Sequence, residues 1–341
     1  MDKETSTLMM MQTLTPTHVG SGTELSYVDL PLQRETHTGF PKIEASTLKG
    51  SIRNAVSSSE GLNKKGTVYA GVNMLLGDPD KGDYASAVSI TDARLLFFPV
   101  KSALGIFAWI TCPYAMKRFL KDYEIVSKCV LKNGIHVGYG GTDQKWEPEK
   151  LEPEEGSVYY ADRKNLEIAK RKGNFYEVKK DTAELQIMLE DYTYRAEENK
   201  TFGKLLEMIS SHLKDMGMDW KQFISHTVLV QDNDFVHFVK HSTEVATRIK
   251  IDSDTGTTQS NALFTEEYLP PETIMYSLFF FGKSNQPQKR ANTDGEFNKQ
   301  LTPKEVREEF LNQFTQDIFQ VGGDSSLGKG FVKKCFWKEE E

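Results

Sequence analysis

The chain has 341 residues, 38% of them apolar, and a formal net charge of −7 at pH 7; this supports a sizeable core in one large or two modest domains and argues against a simple cationic coat for nucleic acid. No segment approaches the roughly 18 apolar residues of a membrane helix, and the N-terminus lacks the basic start and cleavable apolar stretch of a signal peptide. Cys112, Cys129 and Cys335 form neither a C-x-x-C pair nor an even set, which argues against a disulfide framework or zinc knuckle and fits a reducing cytoplasm.

In chain order, STLMMMQTLTP (6–16) predicts a strand. The stretch 14–53, LTPTHVGSGTELSYVDLPLQRETHTGFPKIEASTLKGSIR, mixes glycines, prolines, two histidines and one aspartate without a helix or strand period. Irregular segments of this length are costly unless they build a site. Within it, His18 is either an acid-base group or a packed side chain. Asp29 has no other acid within three residues; it is either a turn former or a group that ligates a divalent cation or helps deprotonate a hydroxyl. The helix STLKGSIRNAV opens on Ser46 and puts Lys49 and Arg53 one turn apart near its N-terminus. That face is either solvated or suited to a phosphodiester backbone.

SITDARLLFFPV (89–100) reads as one strand or two joined by a bulge, and CPYAMKRFLKDY (112–123) as a helix. TDQKWEPEKLEPEEGS (142–157) is rich in Glu and Pro, and the chain stays polar to about 215, with helical patches such as TFGKLLEMISSHLKDM. This is an insertion or lid on a core, or a linker. HTVLVQD, EVATRIKID and IMYSLFFFG are further strands. The hairpin 248–270 turns at DSDTGTT, where Gly256 can take positive φ; it is either an ordinary edge hairpin or a protruding binding element. His237 and His241 are four apart but lack the Glu of a zinc-protease helix and a third ligand, so they read as structural. GKSNQPQKRANTDGEF (282–297) is a polar loop. TPKEVREEFLNQFTQDIF (302–319) is a helix with Thr302 as N-cap, Pro303 in the first turn, Glu305 completing a capping box, and Val306, Phe310 and Phe314 on one stripe.

VGGDSSLGKGFV (321–332) carries a phosphate-loop spacing up to Lys329, but position 330 is Gly where a magnesium-binding Ser or Thr is needed. FVKKCFW then reads as a strand where the motif requires a helix. Nucleotide hydrolysis is therefore set aside. The glycines with Lys329 form either a tight turn or a close backbone approach to an anion. The order of elements suggests α+β layering of ferredoxin type.

The long N-terminal run, with LLFFPVKS, VATRIKIDSDTGT, EEYLP and VGGDSSLGKGFV, resembles the RAMP superfamily. More narrowly it resembles the repeating backbone subunit of the type III-B CRISPR Cmr effector complex. The resemblance implies a ferredoxin-like palm of RNA-recognition-motif type, begun by 1–141 and completed by 221–341, with an acidic, mainly helical lid over 142–220 and a β-hairpin thumb at 248–270. It implies that guide RNA is held by Lys49, with Arg53 continuing its face, and by Gly322, Gly323, Gly328, Lys329 and Gly330, and that no ATP is bound. It also implies an endoribonuclease that cuts complementary target RNA at regular intervals. Asp29 would be the catalytic aspartate and ligand of a divalent metal such as Mg²⁺. His18, Glu266 and Tyr268 would surround the scissile phosphate, Glu267 being the alternative to Glu266. The implied partners are guide RNA, target RNA, further copies in a helical filament and the other Cmr-complex subunits, with no membrane. Two other roles follow from the same resemblance: a non-catalytic RNA scaffold, and guide processing by a free monomer.

Overall fold

The first strand is buried from end to end because both of its faces are covered, its apolar run LMMM at the centre. In the computed structural model it spans Ser6–Thr13 (β1), every residue buried. Its side chains alternate between two cores: Met9 and Met11 enter one, Leu8 and Met10 the other. The structure describes residues 5–23, 27–59, 67–77, 85–126, 135–136, 145–146, 148–161, 185–252, 254–285 and 300–337.

After β1 come helices Ala45–Ser59 (α1) and Thr67–Leu76 (α2), strands Ala93–Lys101 (β2) and Phe107–Thr111 (β3), and helix Pro113–Val126 (α3). Strands Ser157–Tyr160 (β4), Leu185–Leu189 (β5) and Tyr192–Glu198 (β6) follow, then helices Lys200–Leu213 (α4) and Trp220–His226 (α5), strand Thr227–Leu229 (β7) and helix Asp232–His241 (α6). The last elements are the hairpin Glu244–Ile251 (β8) and Thr258–Tyr268 (β9), strand Ile274–Phe281 (β10), helix Pro303–Gln313 (α7), and strands Ile318–Gln320 (β11) and Phe331–Phe336 (β12).

One 12-stranded sheet runs β11, β12, β1, β10, β2, β3, β7, β4, β6, β5, with Lys42–Ile43 added on β2 and Val88–Ile90 on β10. Its centre, β12, β1, β10 and β2, is antiparallel throughout. In chain order those four are the fourth, first, third and second of the set. Leu48, Ile52 and Val56 of α1 share a core with Val306 and Phe310 of α7, so these two crossover helices cover the same face. Phe119 of α3, Phe202 of α4 and Phe223 of α5 meet in the other core. The hairpin β8–β9 is a two-stranded sheet of its own, and Gly256 at its tip has φ +66°, as the turn sequence predicts.

Two stretches differ from the sequence reading. The acidic stretch 142–220, expected to be mainly helical, adds β4, β5 and β6 to the sheet besides α4. β4 pairs with β6 in parallel and with β7 antiparallel, so the open sheet edge decides the secondary structure where composition alone suggested helices. The helix expected over 302–319 begins as predicted, with the Thr302 and Glu305 capping box, but stops at Gln313. Ile318–Gln320 then pairs with β12; pairing at the sheet edge outweighs one more helical turn. Cys112 and Cys335 are buried, whereas Cys129, residues 162–184 and most of the polar loop 282–297 lie outside the described residues. Among the described residues, no helix is long and apolar enough to cross a membrane.

Lys334 of β12 is a buried cation at 6% exposure. Its Nζ donates to Phe314 O at 3.1 Å, beyond the end of α7, and lies 4.2 Å from the Phe314 ring centre. Burial pulls the ammonium down to about 8, against a smaller upward pull from Asp317. Between that value and the 10.5 of an ordinary lysine, the unfolded chain holds a proton that the folded chain has shed. The cost to stability is therefore full below about pH 8 and disappears as pH rises through the unfolded value. Denaturant titrations should show the native chain gaining roughly 1–3 kcal/mol relative to Lys334→Met between about pH 8 and about pH 10. A stability difference independent of pH would contradict a buried, desolvated Lys334.

Candidate functional site

The described residues of 14–41 lack regular structure because they are laid as a path across the root of the β8–β9 hairpin. Single bridges fix the path: Thr17 with Leu269, Gly20 with Leu32, Leu30 with Glu266, and Arg34 with Pro41. The Leu30 bridge is parallel, closed by Leu30 N donating to Thr265 O and Glu267 N donating to Leu30 O, both at 3.0 Å. It brings Asp29 against β9 across 236 residues of chain. Asp29 Oδ2 accepts the Thr265 N–H at 2.7 Å and the Thr265 hydroxyl at 2.9 Å. The backbone bond first and the hydroxyl second hold this exposed carboxyl below its usual range. So held, Asp29 is ionised at neutral pH and a weak base, a carboxylate that could serve as an oxygen ligand.

β9 alternates, so Thr265 and Glu267 point to one side of the hairpin and Glu266 and Tyr268 to the other. On the second side a nearly buried polar cluster forms. His18 Nδ1–H donates to Glu267 O at 2.7 Å, and His18 Nε2 lies 3.3 Å from Glu266 Oε1. Glu266 Oε2 accepts from Arg248 Nη1 at 2.6 Å and from the Tyr268 hydroxyl at 2.8 Å. Both oxygens of Asp324 accept from the same Nη1 at 2.8 Å, and Asp324 Oδ2 faces the Tyr268 hydroxyl at 3.1 Å. The Lys329 ammonium lies over the Tyr268 ring, 4.7 Å from its centre. Burial, then the bond to Glu266, pushes the Tyr268 phenol above its ordinary value, so it stays a donor at physiological pH. Burial of Asp324 is more than offset by Arg248 and Tyr268, and its carboxyl lies below its ordinary value.

Glu266 is thus the member of the acidic pair that enters the cluster. Glu267 faces the other way: Oε1 takes Arg34 Nη2 and the Thr243 hydroxyl, and Oε2 takes the Leu32 N–H at 2.9 Å.

The Gly-rich loop closes the cluster from a third direction. Gly322 and Gly330 have φ of +81° and +79°, and a Cβ there would fall 2.0 Å from His18 O and 2.2 Å from Val321 O. Glycine is therefore required by packing inside the protein at these two positions. Gly323 N donates to His18 O and Gly330 N to Pro16 O, each at 3.0 Å. Gly328 faces open space beside the exposed turn Ser325–Leu327. Strands β11 and β12 flank the loop, where a phosphate loop requires a helix to follow.

Lys49 and Arg53 share a face of α1, but their environments differ. Arg53 donates to Asn73 Oδ1 at 2.6 Å, Leu76 O at 2.9 Å and Gly77 O at 2.7 Å, which ties α1 to the end of α2. Lys49 is half-buried, and burial followed by repulsion from Arg53 lowers its ammonium; an arriving phosphate would relieve both effects.

The structure therefore gathers His18, Glu266, Tyr268 and Lys329, and sets Asp29 against Thr265, the residue beside Glu266 on β9. Three participants escape the sequence reading: Thr265, Arg248 and Asp324. Asp324 stands among the glycines already singled out, and Arg248 follows once β8 is registered on β9, since Ala246 pairs with Glu266 and Arg248 with Phe264. His237 and His241 pack 4.6 Å apart beneath Tyr192, whose hydroxyl meets His237 Nε2 at 3.1 Å. Among the described residues, no three His, Cys, Asp or Glu side chains converge as a metal-ligand set. A magnesium ion on Asp29 would have one carboxylate from the described residues, with RNA phosphates and water completing its shell, an arrangement that magnesium accepts.

Comparison with known proteins follows the same lines. Residues 10–333 match the RAMP superfamily. The chain is 30% identical over 329 residues, 96% of its length and 94% of the relative's, to the CRISPR system Cmr endoribonuclease Cmr4 of Pyrococcus furiosus. It is 24% identical over 342 residues, 95% of its length and 94% of the relative's, to the CRISPR system CMR subunit Cmr4 of Saccharolobus solfataricus. The crystal structure of oligomeric Cmr4 from Pyrococcus furiosus superposes with a TM-score of 0.63 at 24% identity, covering 98% of this chain and 99% of that one. A chain of the type III-B Cmr-beta complex bound to cognate target RNA superposes at 0.66 and 18% identity, covering 97% of this chain and 96% of that one, and so shares the fold. With its match running through nearly the whole sheet, the path 14–41, the hairpin and the Gly-rich loop, the chain belongs to the RAMP superfamily.

Proposed function

We propose that this chain is a guide-RNA-binding backbone subunit of a type III-B CRISPR ribonucleoprotein, and that it is an endoribonuclease cutting complementary target RNA at regular intervals, one cut per copy. The observation that carries this reading is Asp29: an exposed, ionised carboxylate pinned to the hairpin root, in a chain 30% identical to a Cmr endoribonuclease over 96% of its length. The central strand order of fourth, first, third and second supports a ferredoxin-like palm of RNA-recognition-motif type. The β8–β9 hairpin serves as thumb and the stretch 142–220 as the inserted lid. Guide RNA, target RNA, further copies of the chain and other Cmr-complex subunits are its partners, in the cytoplasm and without a membrane.

Scission by 2′-hydroxyl attack needs that oxygen in line with its own phosphate, and a base splayed out of the duplex permits it. A hairpin inserted between base pairs does the splaying, with Asp29 waiting at its root. The Asp29 oxygen not engaged by Thr265, Oδ1, would orient the hydroxyl or hold Mg²⁺; a low carboxyl pKa suits these roles better than proton abstraction. Bound magnesium supplies charge neutralisation at the phosphate. His18 carries proton transfer through Nε2, its ring fixed by the Nδ1 bond to Glu267 O. Glu266 orients that ring, and Tyr268, 1% exposed, positions Glu266. Lys49 takes guide phosphates, Arg53 continues the face while holding α2, and the loop meets the guide through Gly328 and Lys329, its shape set by the internal packing of Gly322, Gly323 and Gly330, without ATP.

Assembled in the particle, Asp29→Ala should slow target cutting at least about a hundredfold, with guide and target affinities unchanged within about twofold. Cutting at the native rate would leave a non-catalytic RNA scaffold as the role, and cleavage of guide precursor by the free chain would make it a processing enzyme. Lys49→Glu should weaken guide retention and reduce the slope of log affinity against log salt by about one; an unchanged slope would remove Lys49 from the guide interface.

A further inference from the structure

The geometry points to Asp324 and Arg248 as a positioning pair that locks the Gly-rich loop to the root of the thumb and thereby sets Glu266 and Tyr268 for cutting. The inference rests on the nuclease reading and adds to it two residues, from the C-terminal loop and from the first strand of the hairpin.

Three observations carry it. Asp324 is held at φ +58°, a left-handed conformation that Asp tolerates better than most residues but that still costs backbone energy. A plain turn between β11 and β12 could take Gly there and avoid the cost. The side chain presented by this conformation is 17% exposed and directs both oxygens at Arg248 Nη1 at 2.8 Å. Arg248 in turn reaches Glu266 Oε2 at 2.6 Å and lies over the Phe264 ring, 5.5 Å from its centre.

The Tyr268 hydroxyl completes the linkage. It has one hydrogen, given to Glu266 at 2.8 Å, with Asp324 next at 3.1 Å. Asp324 and Glu266 thus share one guanidinium nitrogen and compete for one phenol. Without the Asp324 carboxylate, Arg248 and Tyr268 are free to settle on Glu266 alone, which moves the oxygen facing His18 Nε2. Gly323 N bonds His18 O in the same loop, so displacement of the loop is felt at the ring from two sides.

The test uses the assembled particle with its guide. Asp324→Asn keeps tolerance of the left-handed backbone and the size of the side chain while removing the charge. It should slow cutting of saturating target RNA about tenfold or more, with target affinity within about twofold and the melting temperature of the particle close to native. In a double-mutant cycle with Arg248→Lys, the two losses should be clearly less than multiplicative, because both variants break one linkage. Native cutting by Asp324→Asn overturns the inference, as does a loss of guide or target binding that equals the loss of cutting, or a fully multiplicative cycle. The nuclease reading is judged separately in the same assay: if Asp29→Ala abolishes cutting while Asp324→Asn does not affect it, only the positioning pair falls.

Discussion

One backbone bridge, Leu30 against Glu266, sets the functional region of this chain. It is parallel, short and made by residues far apart in sequence, and it puts the N-terminal path in register with β9. Strand alternation does the rest: with Leu30 in that register, Asp29 meets Thr265, Glu266 enters the His18 cluster, and Glu267 turns to Arg34. A slip of one residue would exchange the faces of all three β9 side chains. Thr17 against Leu269 and Gly20 against Leu32 secure the path at further points, so the register does not rest on a single pair of hydrogen bonds.

The second constraint is electrostatic. Glu266 is 4% exposed and Glu267 5%, and buried carboxylates are tolerable only when their oxygens are satisfied. Each meets a different guanidinium, Arg248 for Glu266 and Arg34 for Glu267, together with hydroxyl or backbone donors. This explains how an acidic chain can present a site to RNA. The acids at the hairpin root are neutralised in place, Lys329 lies over Tyr268, and Lys49 remains a partly desolvated cation on α1. Asp29 is an exposed carboxylate at the hairpin root, held by neutral donors from Thr265.

Much of the fold was legible because local pattern and tertiary structure agree. The run 6–16 gave β1, the Thr302 capping box opened α7 where expected, and Gly256 turned the hairpin. Pattern failed where long-range pairing decided: β4 to β6 arise from a polar stretch by joining the sheet, and the Phe314 stripe ends a helix instead of extending it. At the site, the residues of 14–53 and the Gly-rich loop stood out through glycines and irregularity. Their partners did not, because Arg248 and Thr265 are ordinary strand residues whose role exists only in the register of β8, β9 and the path. Even the glycines had two possible reasons, and the structure separates them: Gly322 and Gly330 are needed by internal packing, while Gly328 is open.

A cryo-EM structure of the particle with guide and a target RNA carrying a 2′-deoxy nucleotide at the cut position would show whether Asp29 stands, as the claim has it, beside a distorted RNA linkage. The Asp29 carboxylate should lie within about 4 Å of the scissile phosphate or the attacking sugar, or be joined to it through one metal ion. An Asp29 carboxylate more than about 10 Å from every strand of RNA, with Thr265 still bonded to it, would contradict the claim.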